Sequence, residues 1–175
     1  MTIFLTTAAA VGGALTAGVY VSFSAIVMPA LGSLDAANAG TAMRRINVAA
    51  VRPPYMALFF GGAVAAVAVA VAELASGPLD GRGAARVAGA ALVLASHGVT
   101  VAANVPLNNA LAALAPGSGQ LARHWPVFAS RWGRANTLRA VAAAVGSVVL
   151  AASLVGATAG TESAGPSGAR TVTPR

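Results

Sequence analysis

Apolar residues along this chain gather into four long blocks, separated by shorter stretches where polar residues, glycine and proline concentrate. The blocks cover about 3–31, 55–74, 84–103 and 137–157. As a helix, each is long enough to cross the roughly 30 Å hydrocarbon core of a bilayer. Alanine and glycine dominate all four, and such small side chains let helix backbones approach closely. The expected fold is all-α: an integral membrane four-helix bundle forming one domain over residues 1–159. The first block lacks a basic leader and exceeds the apolar stretch of a signal peptide, so it reads as a retained helix.

The connections differ in character. Residues 32–54 place Leu34, Met43, Ile46 and Val51 among polar neighbours, which predicts a short amphipathic helix ending at Arg52-Pro53-Pro54. The two prolines cannot continue a helix interior but can open the next one. Residues 75–83 read as a plain turn. The longest connection, 104–136, is punctuated by Pro106, Pro116, Gly117, Gly119 and Pro126, and accommodates short helices at about 107–114 and 121–134. Residues 160–175 are polar and contain proline and glycine, the composition of a disordered tail. Four spans place connections one and three on the same side. These carry Arg44, Arg45, Arg52, Arg123, Arg131 and Arg134, against Arg82 and Arg86 around the second connection. The excess predicts a multi-pass cell-membrane protein with connections one and three in the cytoplasm.

Composition strengthens the membrane reading. The 175 residues are 57% hydrophobic and only 9% charged, with a mean hydropathy of +0.76, whereas soluble domains carry about 25% charged residues. The lipid bilayer is thus the first partner implied. The net charge of +7 comes from arginine alone, without lysine. These arginines are scattered through short loops and form no basic stripe with interleaved aromatics, which argues against nucleic acid. The absence of cysteine excludes disulfides, thiol nucleophiles and cysteine-ligated metals. Two histidines and four acidic residues, not brought together by spacing, predict no metal site. No span carries a carboxylate at its centre, as proton-coupled transport prefers.

The candidate chemistry lies in polar residues set among apolar ones. His97 sits inside the third block, Asn104 follows seven residues later and Asn108 four beyond that, offsets that fall near one helix face. Such a face is costly toward lipid, so it is expected to point into a protein interior or a wet cavity. Trp132, Asn136 and Arg139 share a face by offsets of four and three, and Trp125, Phe128 and Trp132 share another. An aromatic wall beside amide and guanidinium donors suits a flat, polar aromatic ligand. His97 is the strongest candidate for a general base. Each residue also has a plainer reading: tryptophans as interfacial anchors, asparagines joining helices, arginines on lipid phosphates.

Taken together, these segments resemble the anthrone oxygenase family of small four-span membrane proteins. The resemblance rests on GVYVSFSAIVMPAL in the first block and Arg52-Pro53-Pro54 opening the second. It is strongest in Asn104-Val105-Pro106-Leu107-Asn108-Asn109, and continues through Trp125, Trp132, Arg134, Asn136 and Arg139. It implies oxidation of an anthrone or related polycyclic phenol by dioxygen without a metal or organic cofactor. Such chemistry needs a base, donors for an enolate oxygen and a dry aromatic pocket. On that reading His97 is the expected base, Arg139 with Asn104 and Asn136 the oxyanion clamp, and Tyr20, Arg52, Asn108 and Trp132 the substrate-binding residues. The competing readings are a membrane binding or transport protein for a small apolar or aromatic molecule, and a structural membrane subunit. The small-residue faces also permit a homodimer.

Overall fold

The computed structural model describes residues 1–115 and 119–155. The expected disordered tail and the last residues of the fourth block lie outside the described residues. Among those residues the chain is 90% helical, without strands, and forms five helices. They are α1 (Thr2–Gly32), α2 (Ala36–Ala50), α3 (Pro53–Ala75), α4 (Gly81–Ala112) and α5 (Gln120–Val155). All but α2 are long and apolar enough to cross a membrane. Their outer faces carry exposed Phe4, Val64 and Val148, each more than 60% accessible, as a lipid-facing surface requires. The fold is a multi-pass membrane bundle.

The four long helices form a ring. α1 packs on α3 and α5, and α4 packs on the same two, so α1 and α4 stand on a diagonal. Hydrophobic driving force is weak between helices in lipid, and close packing takes its place. Glycine supplies it at two crossings. A Cβ on Gly12 of α1 would lie 3.1 Å from Gly62 Cα of α3. A Cβ on Gly146 of α5 would lie 2.8 Å from the Gly89 carbonyl oxygen of α4. Around these crossings Ala9, Ala66, Val69, Ala90, Val93 and Leu150 form a buried core. At one end of the bundle, Glu73 of α3 and Arg86 of α4 pair at 2.9 Å beside the short turn that joins them.

The opposite end is closed by a second core. Asp35 caps α2 by accepting from the Asn38 backbone N–H at 3.0 Å. Its buried face, Ala39 and Met43, packs with Leu111 of α4 and with Leu121, Trp125, Phe128 and Trp132 of α5. α5 has 36 residues, about 54 Å at 1.5 Å per residue. It therefore outruns the hydrocarbon, and its first turns reach this cap.

Two expectations change here. The third block and the short helix after it are one continuous helix, and the short helix at 121–134 runs unbroken into the fourth span. Pro106 does not end α4 because the preceding turn, Thr100–Asn104, is π-helical. Proline removes an N–H donor and crowds the carbonyl four residues back, and a widened turn relieves both. α1 repeats the device, with a π-helical turn at Phe23–Val27 two residues before Pro29. Pro126 sits within the first two turns of α5, which remains helical through it.

Candidate functional site

A cavity of about 530 Å³ opens beside the capped end of the bundle, and all five helices contribute to its wall. The wall is mostly apolar, with Phe23, Met56 and Phe59 among its residues, and its polar groups converge from different helices. The widened turns meet it on two sides: Phe23 begins the π-helical turn of α1, and Thr100 and Asn104 bound that of α4.

Arg139 is the charged residue on this wall, and it is 6% exposed. Its Nε and Nη2 donate to Asn136 Oδ1 at 3.1 and 2.8 Å, and its Nη1 donates to Thr100 Oγ1 at 3.2 Å. Its Cζ stands 4.0 Å from the centre of the Tyr20 ring and 5.2 Å from that of Trp132. Among the described residues no carboxylate pairs with it. A buried cation held by amide, hydroxyl and π-faces keeps its charge available to a ligand. Three of its five N–H groups are engaged by these two side chains.

Asn136 explains why the guanidinium is fixed. It is fully buried; its Nδ2 donates to the Tyr20 carbonyl and to Ser24 Oγ, both at 2.8 Å, and its Oδ1 receives Arg139. All its bonding capacity points into protein, so it positions Arg139 and does not reach the cavity as the expected clamp member would. Thr100 Oγ1 completes the anchor, donating to the Ser96 carbonyl at 3.0 Å and standing 3.3 Å from the Tyr20 hydroxyl.

Four further polar atoms on cavity-lining residues are buried and without a protein partner. They are Trp132 Nε1, Asn104 Oδ1, Asn108 Oδ1 and Asn47 Nδ2. Asn104 is itself held by its Nδ2, which donates to the Trp132 carbonyl at 3.3 Å. Native proteins leave few such groups, so four on residues around one cavity set this region apart from the rest of the bundle.

The structure thus brings Tyr20, Asn104, Asn108, Trp132 and Arg139 to one cavity, with Asn136 behind them. It does not bring His97. The ring Nδ1 lies 2.8 Å from the Val93 carbonyl and Nε2 lies 2.9 Å from the Phe59 carbonyl. With both nitrogens on main-chain oxygens and the Phe59 ring 4.5 Å away, the imidazole ties α4 to α3. The expected base role is therefore not carried forward. Arg52 is exposed at the start of α3, next to lining residues Val51 and Tyr55 but off the wall. The aromatic face of α5 exists, with Trp125–Phe128 and Phe128–Trp132 centroids 5.6 and 6.5 Å apart, yet only Trp132 of the three reaches the cavity.

Two polar wall residues escaped the sequence reading. Thr100 stands four residues before Asn104 and eight before Asn108, so the helical row that singled out the asparagines contains it too. Asn47 stands four residues after Met43 on α2, a lone amide on an apolar face.

No curated protein and no solved structure matches this chain. The family model described as Anthrone oxygenase matches residues 55–149, which hold Thr100, Asn104, Asn108, Trp132, Asn136 and Arg139. With more than half of its length matched, the chain belongs to the anthrone oxygenase family.

Proposed function

We propose that this protein is a membrane-embedded, cofactor-independent oxygenase that converts an anthrone or related polycyclic phenol to a quinone with dioxygen. The observation that carries the reading is Arg139: buried, without a carboxylate, and fixed on the wall of an aromatic-lined cavity. Family membership supports it.

The chemistry follows from charge. An anthrone carries a methylene whose proton is acidic because the resulting carbanion delocalises onto the carbonyl oxygen across the ring. Arg139, held over the Tyr20 and Trp132 rings, supplies the donor for that oxyanion, and Phe23, Met56 and Phe59 supply apolar walls for the ring system. No Asp, Glu or His lines the cavity among the described residues. The site therefore acts on the acidity of the substrate, and hydroxide from solvent accepts the proton. The enolate then passes electrons to dioxygen and forms a carbon–oxygen bond, giving a peroxide that takes up a proton. Loss of the remaining methine proton and cleavage of the O–O bond release water and leave the second carbonyl. One methylene and one dioxygen become one carbonyl and one water.

A second reading, a binding or carrier protein for a small aromatic anion, draws on the same absence of a side-chain base. The two separate on turnover. Purified protein in detergent, given a simple anthrone, should consume dioxygen and form quinone faster than spontaneous air oxidation. Binding of the anthrone without any acceleration, by protein shown to be folded, would favour the carrier. We further place connections one and three on the cytoplasmic side of the cell membrane, from their arginine excess.

A further inference from the structure

The rim of the cavity differs from its floor. Phe60 of α3, Val101 and Val105 of α4, and Val51 just before α3 line the cavity and are exposed. The cavity therefore reaches the surface of the bundle along these apolar side chains. Their positions place the opening between α3 and α4. His97 ties the two helices, with Nε2 2.9 Å from the Phe59 carbonyl and its ring 4.5 Å from the Phe59 ring. Val101 and Val105 follow His97 at intervals of four, so they continue the α4 face that meets α3. Phe60 adjoins Phe59, and Met56, another lining residue, stands about one turn before them. Up to the His97 tie the two helices pack directly; from Thr100 onward α4 turns its packing to α5 and α2. The π-helical turn at Thr100–Asn104 stands where the helices part.

We infer that this gap is a lateral portal through which the cavity takes a neutral, apolar aromatic ligand from the bilayer, with the His97–Phe59 tie as its sill. Phe60 lies seven residues beyond Pro53, the start of α3, which is about 10 Å into the span. The opening thus runs from headgroup level at Val51, where water is within reach, down into the hydrocarbon. In that position an exposed apolar rim meets lipid tails, and a molecule dissolved among them enters without first returning to water. An ion meets the opposite: passing the apolar rim costs it its hydration, although Arg139 would attract an anion once inside. The charge of a bound oxyanion then arises within the cavity and does not arrive with the ligand. His97, which the chemistry leaves unused, fixes the point at which the two helices separate.

The portal rests on the cavity and the membrane-spanning helices and not on turnover, so failure of the oxygenase reading would leave it standing. Its test reads Trp132, which lines the cavity and is 2% exposed, so that a contact quencher must enter the cavity to reach it. Trp125→Phe protein, in which Trp132 is the remaining tryptophan, is placed in lipid vesicles. Emission is titrated with dibromobenzene, a neutral quencher dissolved in the bilayer, and with iodide, an aqueous anion. The expected result is strong quenching by dibromobenzene and weak quenching by iodide. Most of the dibromobenzene quenching should be lost in Val101→Phe/Val105→Phe and kept in Val148→Phe, a change on the exposed face of α5. Iodide quenching equal to or above that of dibromobenzene would place the entrance in water and overturn the portal. Dibromobenzene quenching that survives the double rim variant would do the same. The comparison of quenchers also reads out in the parent chain, because Trp125 lies in the cap core and off the cavity wall.

Discussion

Replacing Arg139 by glutamine tests the site where its physics is most exposed. The substitution keeps a polar side chain but removes the charge and the guanidinium fork. In the parent protein three N–H groups hold Asn136 and Thr100, and on the proposed reading the remaining donors serve the substrate oxyanion. Hydrogen bonds from a charged donor contribute about 1.5–3 kcal/mol each. Loss of two such bonds to a developing oxyanion removes about 3–6 kcal/mol from the transition state. At about 1.4 kcal/mol per decade this is roughly a 10²- to 10⁴-fold fall in turnover. Stability should change far less. The variant strips donors from Asn136 Oδ1, which costs about 1–3 kcal/mol, but it also removes an unpaired buried cation whose desolvation opposes folding. The assay is dioxygen uptake together with quinone absorbance, corrected for spontaneous oxidation, beside thermal unfolding in the same detergent. A folded Arg139→Gln protein within about threefold of parent activity would refute the assignment of the oxyanion to this residue.

The remaining expectations concern the frame around the site. His97→Leu should keep turnover within a few-fold while lowering stability by about 1–3 kcal/mol, because the Val93 and Phe59 carbonyls lose their partner; a loss of activity at unchanged stability would restore the base role. Gly146→Ala should destabilise the bundle by about 1–3 kcal/mol in thermal unfolding, since the new Cβ meets the Gly89 carbonyl at 2.8 Å and the Val93 nitrogen at 2.9 Å, and backbone cannot step aside. The Asn38 backbone N–H holds the Asp35 carboxyl below its ordinary value of 3.8. Its capping of α2 is therefore fully present above that value and lost as pH falls through the lowered one; amide exchange of α2 should rise across that acid window, and Asp35→Ala should abolish the dependence. The cysteine-free chain permits a topology test: Ala37→Cys in connection one should be labelled from the cytoplasmic side and Ser76→Cys in connection two from the other.

The spans were legible because lipid imposes one pattern, long runs of apolar residues, and the chain obeys it in four places. The amphipathic α2 and the opening of α3 at Pro53 were legible from Met43, Ile46 and the double proline. The continuity of α4 was not. A proline two residues after an asparagine reads as a break, and nothing local announces that a π-helical turn at Thr100–Asn104 will absorb it. Asn104, Asn108, Trp132 and Arg139 stood out as costly residues in apolar surroundings, and all four meet around one cavity. His97 stood out for the same reason and misled, because a buried histidine can take its contacts from main-chain carbonyls, and sequence does not show where those lie. Asn47 was invisible because an amide on an amphipathic helix is ordinary until the helix is seen lying against a cavity. Asn136 belongs with Arg139 by its offset of three, as the spacing indicated, but it serves as a brace and not as a clamp. Its remaining bonds end on Tyr20 and Ser24, residues of a distant helix that spacing along α5 does not reveal.

The most direct test of the oxygenase reading is anthrone turnover under ¹⁸O-labelled dioxygen by chelator-treated protein reconstituted in lipid vesicles, with protein-free vesicles alongside. The expected result is quinone formation well above the vesicle background, with dioxygen and anthrone consumed in equal amounts and one labelled oxygen in each quinone. Quinone formation no faster than in empty vesicles, or labelling from water in place of dioxygen, would contradict it.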